Sequence, residues 1–267
     1  MMTTAALLTV ASVPARAVAA ADLPGAEAPV VATVRVPYIR DPVDKSYRKM
    51  IKGVDRFERE HALAPQGVLR FRLLPRLPQS DMRSIHLRVA GDNISLPVPI
   101  SPDNSFVLPR DAQALREDAA VVADRKTSSM TWRAWIQTPG LPAGARRLGD
   151  LRLECRVGMD AGLISNTSPI FGWLTDALTN TEQVCTSADG NYLFFADRPI
   201  FSVTVRHGER SMVLPFAMLY AGGQQTRDSL PFCDCQVLLD RSYYAPLWDS
   251  SWPDDSLIEF EYMTEAP

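Results

Sequence analysis

The sequence predicts a mainly β protein: an N-terminal β-sandwich or small barrel, then a second β-rich, disulfide-stabilised part, with one or two short helices. Three observations carry this. Apolar and polar residues alternate at period two in many short runs, the pattern of strands with one face in a core. Pro 21 and Gly 14 mark many turns, which suits short strands better than a helical bundle. All four cysteines, Cys155, Cys185, Cys233 and Cys235, fall in the second part, where bridges between them brace a sheet.

With 267 residues, 46% apolar and 22% charged, the chain has the means for one large β-rich domain or two smaller ones and is not disordered. Its formal net charge of −3 and a pI near 5.7 argue against a nucleic-acid partner.

Residues 1–21 read as an export signal. Leu7, Leu8, Val10, Ala11 and Val13 form a short apolar centre, and Ala17-Val18-Ala19 or Ala19-Ala20-Ala21 offers a cleavage site. Arg16 follows the apolar run, and no Lys or Arg precedes it. The run is too short to span a bilayer, and no later segment approaches a membrane span. The expected location is periplasmic or secreted, where disulfides persist. Residues 22–30 are an Ala, Pro and Gly-rich lead-in. An N-terminal domain is expected over 31–139 and a C-terminal one over 145–267, divided at the Pro139–Gly144 loop.

Val31 to Val36 reads as a first strand. Over 43–60, Tyr47, Met50, Ile51, Val54 and Phe57 recur at three and four, a helical spacing. Asp41 is the expected cap, with Pro42 in the first turn. Lys45, Lys49, Lys52, Arg56 and Arg59 fall mainly on the other face, read as solvated.

Residues 68–109 break into short strands. Leu69, Phe71 and Leu73 alternate with Arg70 and Arg72; Ile85, Leu87 and Val89 alternate with His86 and Arg88. A turn at Ala90–Asn93 leads to Ile94, Leu96 and Val98, and one at Ser101–Asn104 leads to Phe106–Leu108. If the first two strands are neighbours, Arg70, Arg72, His86 and Arg88 share one outward face, a candidate seat for a small anion; pairing with carboxylates elsewhere is the plainer use. A helical turn or two is expected over 111–118 and a strand over Trp132–Ile136. Across 66–138 this strand rhythm resembles the small peptidase-associated sandwich domains of the transthyretin-like type. The resemblance implies a fold and no function.

Residues 148–163 fit a strand or a helix, with the longer pattern favouring helix and Cys155 on the apolar side either way. A hairpin is expected across 200–215, with Phe201, Val203 and Val205 inward and Gly208 in the turn. Phe232 to Leu239 is another apolar run, interrupted by Asp234 and Gln236. On a strand Cys233 and Cys235 would point to one face. The readings are a bond from each to a distant cysteine, a bond between the two with redox chemistry, or half of a thiolate metal site, the first being preferred.

In the tail, Trp248 and Trp252 interleave with Asp249, Asp254 and Asp255, a pattern that also suits sugar hydrolysis if two carboxyls share a cleft. Ile258, Phe260 and Tyr262 then alternate with Glu259 and Glu261, a final strand whose acidic face would guard an exposed edge. No phosphate-cradling glycine loop, helical zinc motif or nucleophile elbow occurs. The expectation is an exported, non-enzymatic envelope or secreted protein with a binding or structural role and no cofactor. An envelope protein or a small anion would be its partner. The alternatives are a secreted hydrolase using the acidic-aromatic tail and a small-anion binder using the basic strand face.

Overall fold

Short antiparallel strands dominate, as the alternating runs predict. The computed structural model describes residues 42–126, 129–163, 181–188, 192–223 and 233–264. The export signal, the lead-in, the strand over 31–36 and the Asp41 cap fall outside the described residues. Among the described residues four sheets form, all with antiparallel neighbours. One has the order β1 (Pro42–Ser46), β6 (Ala120–Lys126), β3 (Leu87–Ala90), β4 (Ser95–Val98). A second runs β5 (Ser105–Phe106), β2 (Val68–Pro75), β7 (Met130–Gln137). A third runs β11 (Arg210–Val213), β10 (Ile200–His207), β13 (Leu257–Tyr262), β8 (Ala145–Arg147). The fourth pairs β9 (Phe194–Phe195) with β12 (Ser242–Tyr243). None of these sheets closes into a barrel; the first two enclose one core, in the manner of a sandwich.

Four α-helices occur among the described residues, more than the one or two expected: α1 (Tyr47–Arg59), α2 (Ala112–Arg116), α3 (Leu148–Asp160) and α4 (Thr181–Thr186). The first, expected helix is capped by Ser46, whose hydroxyl accepts from the Lys49 amide. Pro42 lies in β1 rather than in a helical turn. Tyr47, Met50 and Ile51 are buried, and the Tyr47 hydroxyl donates to the Pro109 carbonyl and accepts from the Asp111 amide. The ambiguous 148–163 segment is helical over Leu148–Asp160, as its longer pattern favours.

Helix α3 is buried on two faces. Leu153 and Val157 join a core with Phe71, Leu73, Phe106, Trp132 and Ile136. Leu148, Leu151 and Cys155 join a second core with Tyr192, Val203, Val205, Tyr243 and Ile258. Gly158 gives α3 its close approach to Tyr192: a Cβ there would meet the Tyr192 hydroxyl at 2.1 Å.

Three local expectations need correction. The hairpin forms, with Gly208 at φ 54°, but its first strand shifts register between Ile200 and Ser202. This bulge rephases the alternation. Ile200 is buried in place of Phe201, which is 64% exposed. The 233–239 segment is a run of turns leading into a 3₁₀ turn at Leu239–Arg241, not a strand. Finally, β13 lies inside its sheet between β10 and β8 and guards no edge. Its acidic face is used across the strands: Glu259 takes a hydrogen bond from Arg206 at 2.9 Å and Glu261 one from Ser202 at 2.8 Å.

Candidate functional site

Strand β7 organises the described polar chemistry. Trp132, Ala134 and Ile136 of the expected strand face the first core. Thr131, Arg133, Trp135 and Gln137 alternate with them; the first two are covered and the last two half-buried. Thr131 and Arg133 are buried, and the Arg133 guanidinium lies 4.7 Å from the Phe195 ring centre and 5.7 Å from that of Tyr192.

Each end of the strand meets a buried carboxylate from the later half of the chain. At the C-terminal end, Asp150 on α3 accepts from the Thr138 amide at 2.8 Å and its hydroxyl at 2.9 Å. Glu154, one turn on, accepts from the Ile136 amide at 2.9 Å and from Arg146 at 2.6 Å. Cys155 follows, bonded to Cys185 of α4. Burial pushes the Tyr192 phenol, beside these groups, up to about 12.

At the N-terminal end, Asp234 accepts from the Thr131 hydroxyl at 2.6 Å and pairs with Arg76 at 3.0 Å. Burial pushes the Asp234 carboxyl above its ordinary range, against the pull of Arg133, Thr131 and Arg76. Burial also draws the Lys45 ammonium below its ordinary value, with Asp234 and Asp44 opposing. Three cationic side chains thus face one carboxylate. Its two neighbours, Cys233 and Cys235, are bonded to each other. The preferred pairing with distant cysteines is therefore not the one found at this pair, and both thiols are spent in the bond rather than open to a metal.

Between the two ends, Trp135 and Gln137 form one wall of a cleft of about 260 Å³. The other walls are the 141–146 segment, Phe195–Asp197, and Phe260 with Tyr262. The last two rings are stacked, 5.9 Å between centres. Gly144, at φ 73°, lets the loop lie on Tyr262; a Cβ there would sit 3.2 Å from that ring. At the rim Arg72 pairs with Asp197 at 2.6 Å and lies 5.1 Å from the Trp135 ring centre, while Arg198 lies 4.2 Å from that of Tyr262. Aromatic faces with one amide and one carboxylate suit a small ring-bearing polar molecule.

The basic strand face is not assembled. Arg70 and Arg72 stand on β2, whereas Arg88 stands on β3 and His86 just before it, in a different sheet. Arg70 donates to Ser105 and Ser101, both at 2.7 Å, and His86 contacts Asp124 at 2.7 Å. Arg88 is exposed and makes no ion pair among the described residues.

The acidic-aromatic tail is also occupied by internal contacts. Trp252 is buried under Arg210, whose guanidinium lies 3.7 Å from the ring centre, so its face cannot receive a sugar. Asp254 pairs with Arg152 and Asp255 with His207. Asp249 accepts from Ser251, whose hydrogen bonds hold its carboxyl below the usual range, the opposite of what a catalytic acid needs. Trp248 is half-buried. Among the described residues no group of three or more His, Cys, Asp or Glu side chains is placed to hold a metal.

Asp234, Glu154, Asp150, Arg133, Lys45 and Asp197 are absent from the sequence-derived candidates. Two signals point in retrospect to Asp234 and to the cleft beside Asp197: a charge interrupting the apolar 232–239 run between two cysteines, and a tryptophan, Trp135, alternating with the core residues of β7. Comparison with protein-family models, with curated proteins and with solved structures gives no match to this chain.

Proposed function

We propose that the chain is an exported, non-enzymatic protein of the envelope or secreted space that binds a small ring-bearing polar ligand in the cleft over β7. The observation that carries this reading is the cleft itself, with rings from Trp135, Phe195, Phe260 and Tyr262 around one amide and one carboxylate. At about 260 Å³ it suits a ligand near the size of one sugar ring. Two bonded cysteine pairs support an oxidising compartment. No helix among the described residues is long and apolar enough to cross a membrane.

The test is thermal unfolding and tryptophan fluorescence with a panel of glucose, N-acetylglucosamine, phenol and inorganic phosphate. A ring-bearing probe should raise the unfolding temperature, and Trp135→Ala should abolish the shift. A panel without effect, a response to phosphate alone, or a shift that survives in Trp135→Ala overturns the reading.

A further inference from the structure

We infer that the Cys233–Cys235 bond is a site of thiol–disulfide exchange, with Cys233 the sulfur that an external dithiol attacks. The two cystines of this chain are built for different work. Cys155–Cys185 spans 30 residues and ties α3 to α4, with both sulfur residues buried. Closing so long a loop removes much of the unfolded chain's freedom. Cys233–Cys235 spans a separation of two. It removes less such freedom and ties no distant segment to the fold, so stabilisation is the smaller part of its account.

The two sulfurs of the short loop are also unequal. Cys235 is fully buried, packed with Leu193 and Ala221, whereas Cys233 is half-buried. The Cys235 amide donates to the Cys233 sulfur at 3.2 Å, so a thiolate formed at Cys233 has a donor already in place. Cys233 is also the more exposed of the two, and attack from outside needs that access. This asymmetry assigns Cys233 as the exchanging sulfur and Cys235 as the resolving one.

A thiolate of the reductant attacks Cys233 Sγ; the bond to Cys235 breaks and its electron pair leaves on Cys235 Sγ, which takes up a proton. The reductant's second thiol, as thiolate, displaces Cys233 from the mixed disulfide, and Cys233 leaves with the electron pair and takes up a proton. The loop ends as two thiols and the reductant as a disulfide. The contacts of Asp234 with Arg76 and Thr131 involve neither sulfur, so opening the bond removes none of them directly.

Oxidised full-length protein, titrated with limiting dithiothreitol, alkylated and mapped by mass spectrometry, decides the order of opening. Cys233 and Cys235 should be labelled about tenfold faster than Cys155 and Cys185, with near-ultraviolet circular dichroism retained. Earlier or simultaneous opening of Cys155–Cys185 overturns the inference. A second arm uses Cys235→Ala with oxidised glutathione, which should form a mixed disulfide at Cys233, while Cys233→Ala leaves Cys235 unmodified in the folded chain. Equal modification of both variants also overturns it, and the wild-type labelling order stands as the test if either variant fails to fold.

Discussion

At one end of β7, Asp150 and Glu154 hold Ile136 and Thr138, and the adjacent cystine binds two helices together. At the other end, Asp234 holds Thr131 and Arg76, and the adjacent cystine binds only a turn to itself. Both ends join a buried carboxylate to a sulfur bridge. Only at the helix end do both components span distant segments. The comparison teaches that a bridge's contribution follows what it spans rather than its mere presence. Where the bridge spans nothing, the carboxylate does the holding and the bridge is left available for chemistry.

The largest effect is expected from Glu154→Gln. It leaves Arg146, itself buried, without its carboxylate, a loss of about 3–5 kcal/mol in urea unfolding. A cost near that of an ordinary surface substitution would mean that the helix end is not the stronger one. Next, replacing Cys155 and Cys185 together by alanine should cost about 3–4 kcal/mol by the loop-closure relation. The same replacement at Cys233 and Cys235 should cost about 1–2 kcal/mol. Equal shifts of the urea midpoint in the two double variants would erase the distinction between the bridges.

The smallest effect concerns pH. The Arg56 guanidinium, bonded to Glu182 on α4, holds that carboxyl below its usual 4.5. A carboxyl depressed in the folded state stabilises it above the unfolded pKa, and the contribution is lost as pH falls through the folded one. The advantage of wild type over Glu182→Gln should therefore be present at pH 7 and vanish on acidification below about 4.5. A difference that grows in acid would reverse the sign. The effect should be modest, because Glu182 is 47% exposed on its side chain.

Much of the fold is legible in the sequence because period-two and helical spacing act locally. The expected α1, β2, β7 and the hairpin follow directly from their apolar residues. What is not legible depends on partners distant in the chain. The bulge that turns Phe201 outward exists only in the pairing of β10 with β13. The basic face fails because adjacency of β2 and β3 is a matter of topology, which alternation does not encode. Asp234 reads as an interruption until Arg76 and Thr131, both more than a hundred residues earlier, are brought to it. The cleft needs β7, the 141–146 segment, Phe195–Asp197 and β13 together, and no local pattern marks their rings as neighbours.

Hydrogen exchange at the Ile136 and Thr138 amides, which donate to Glu154 and Asp150, reads the helix end of β7 while the perturbation is made at the other end. The protein should be measured in wild type and in the variant with both Cys233 and Cys235 replaced by alanine. Both amides should keep their wild-type protection, because the helix end holds without the short bridge. Loss of that protection in the variant would show that the Cys233–Cys235 bond bears on the whole strand, and the division between a holding bridge and an exchangeable one would be wrong.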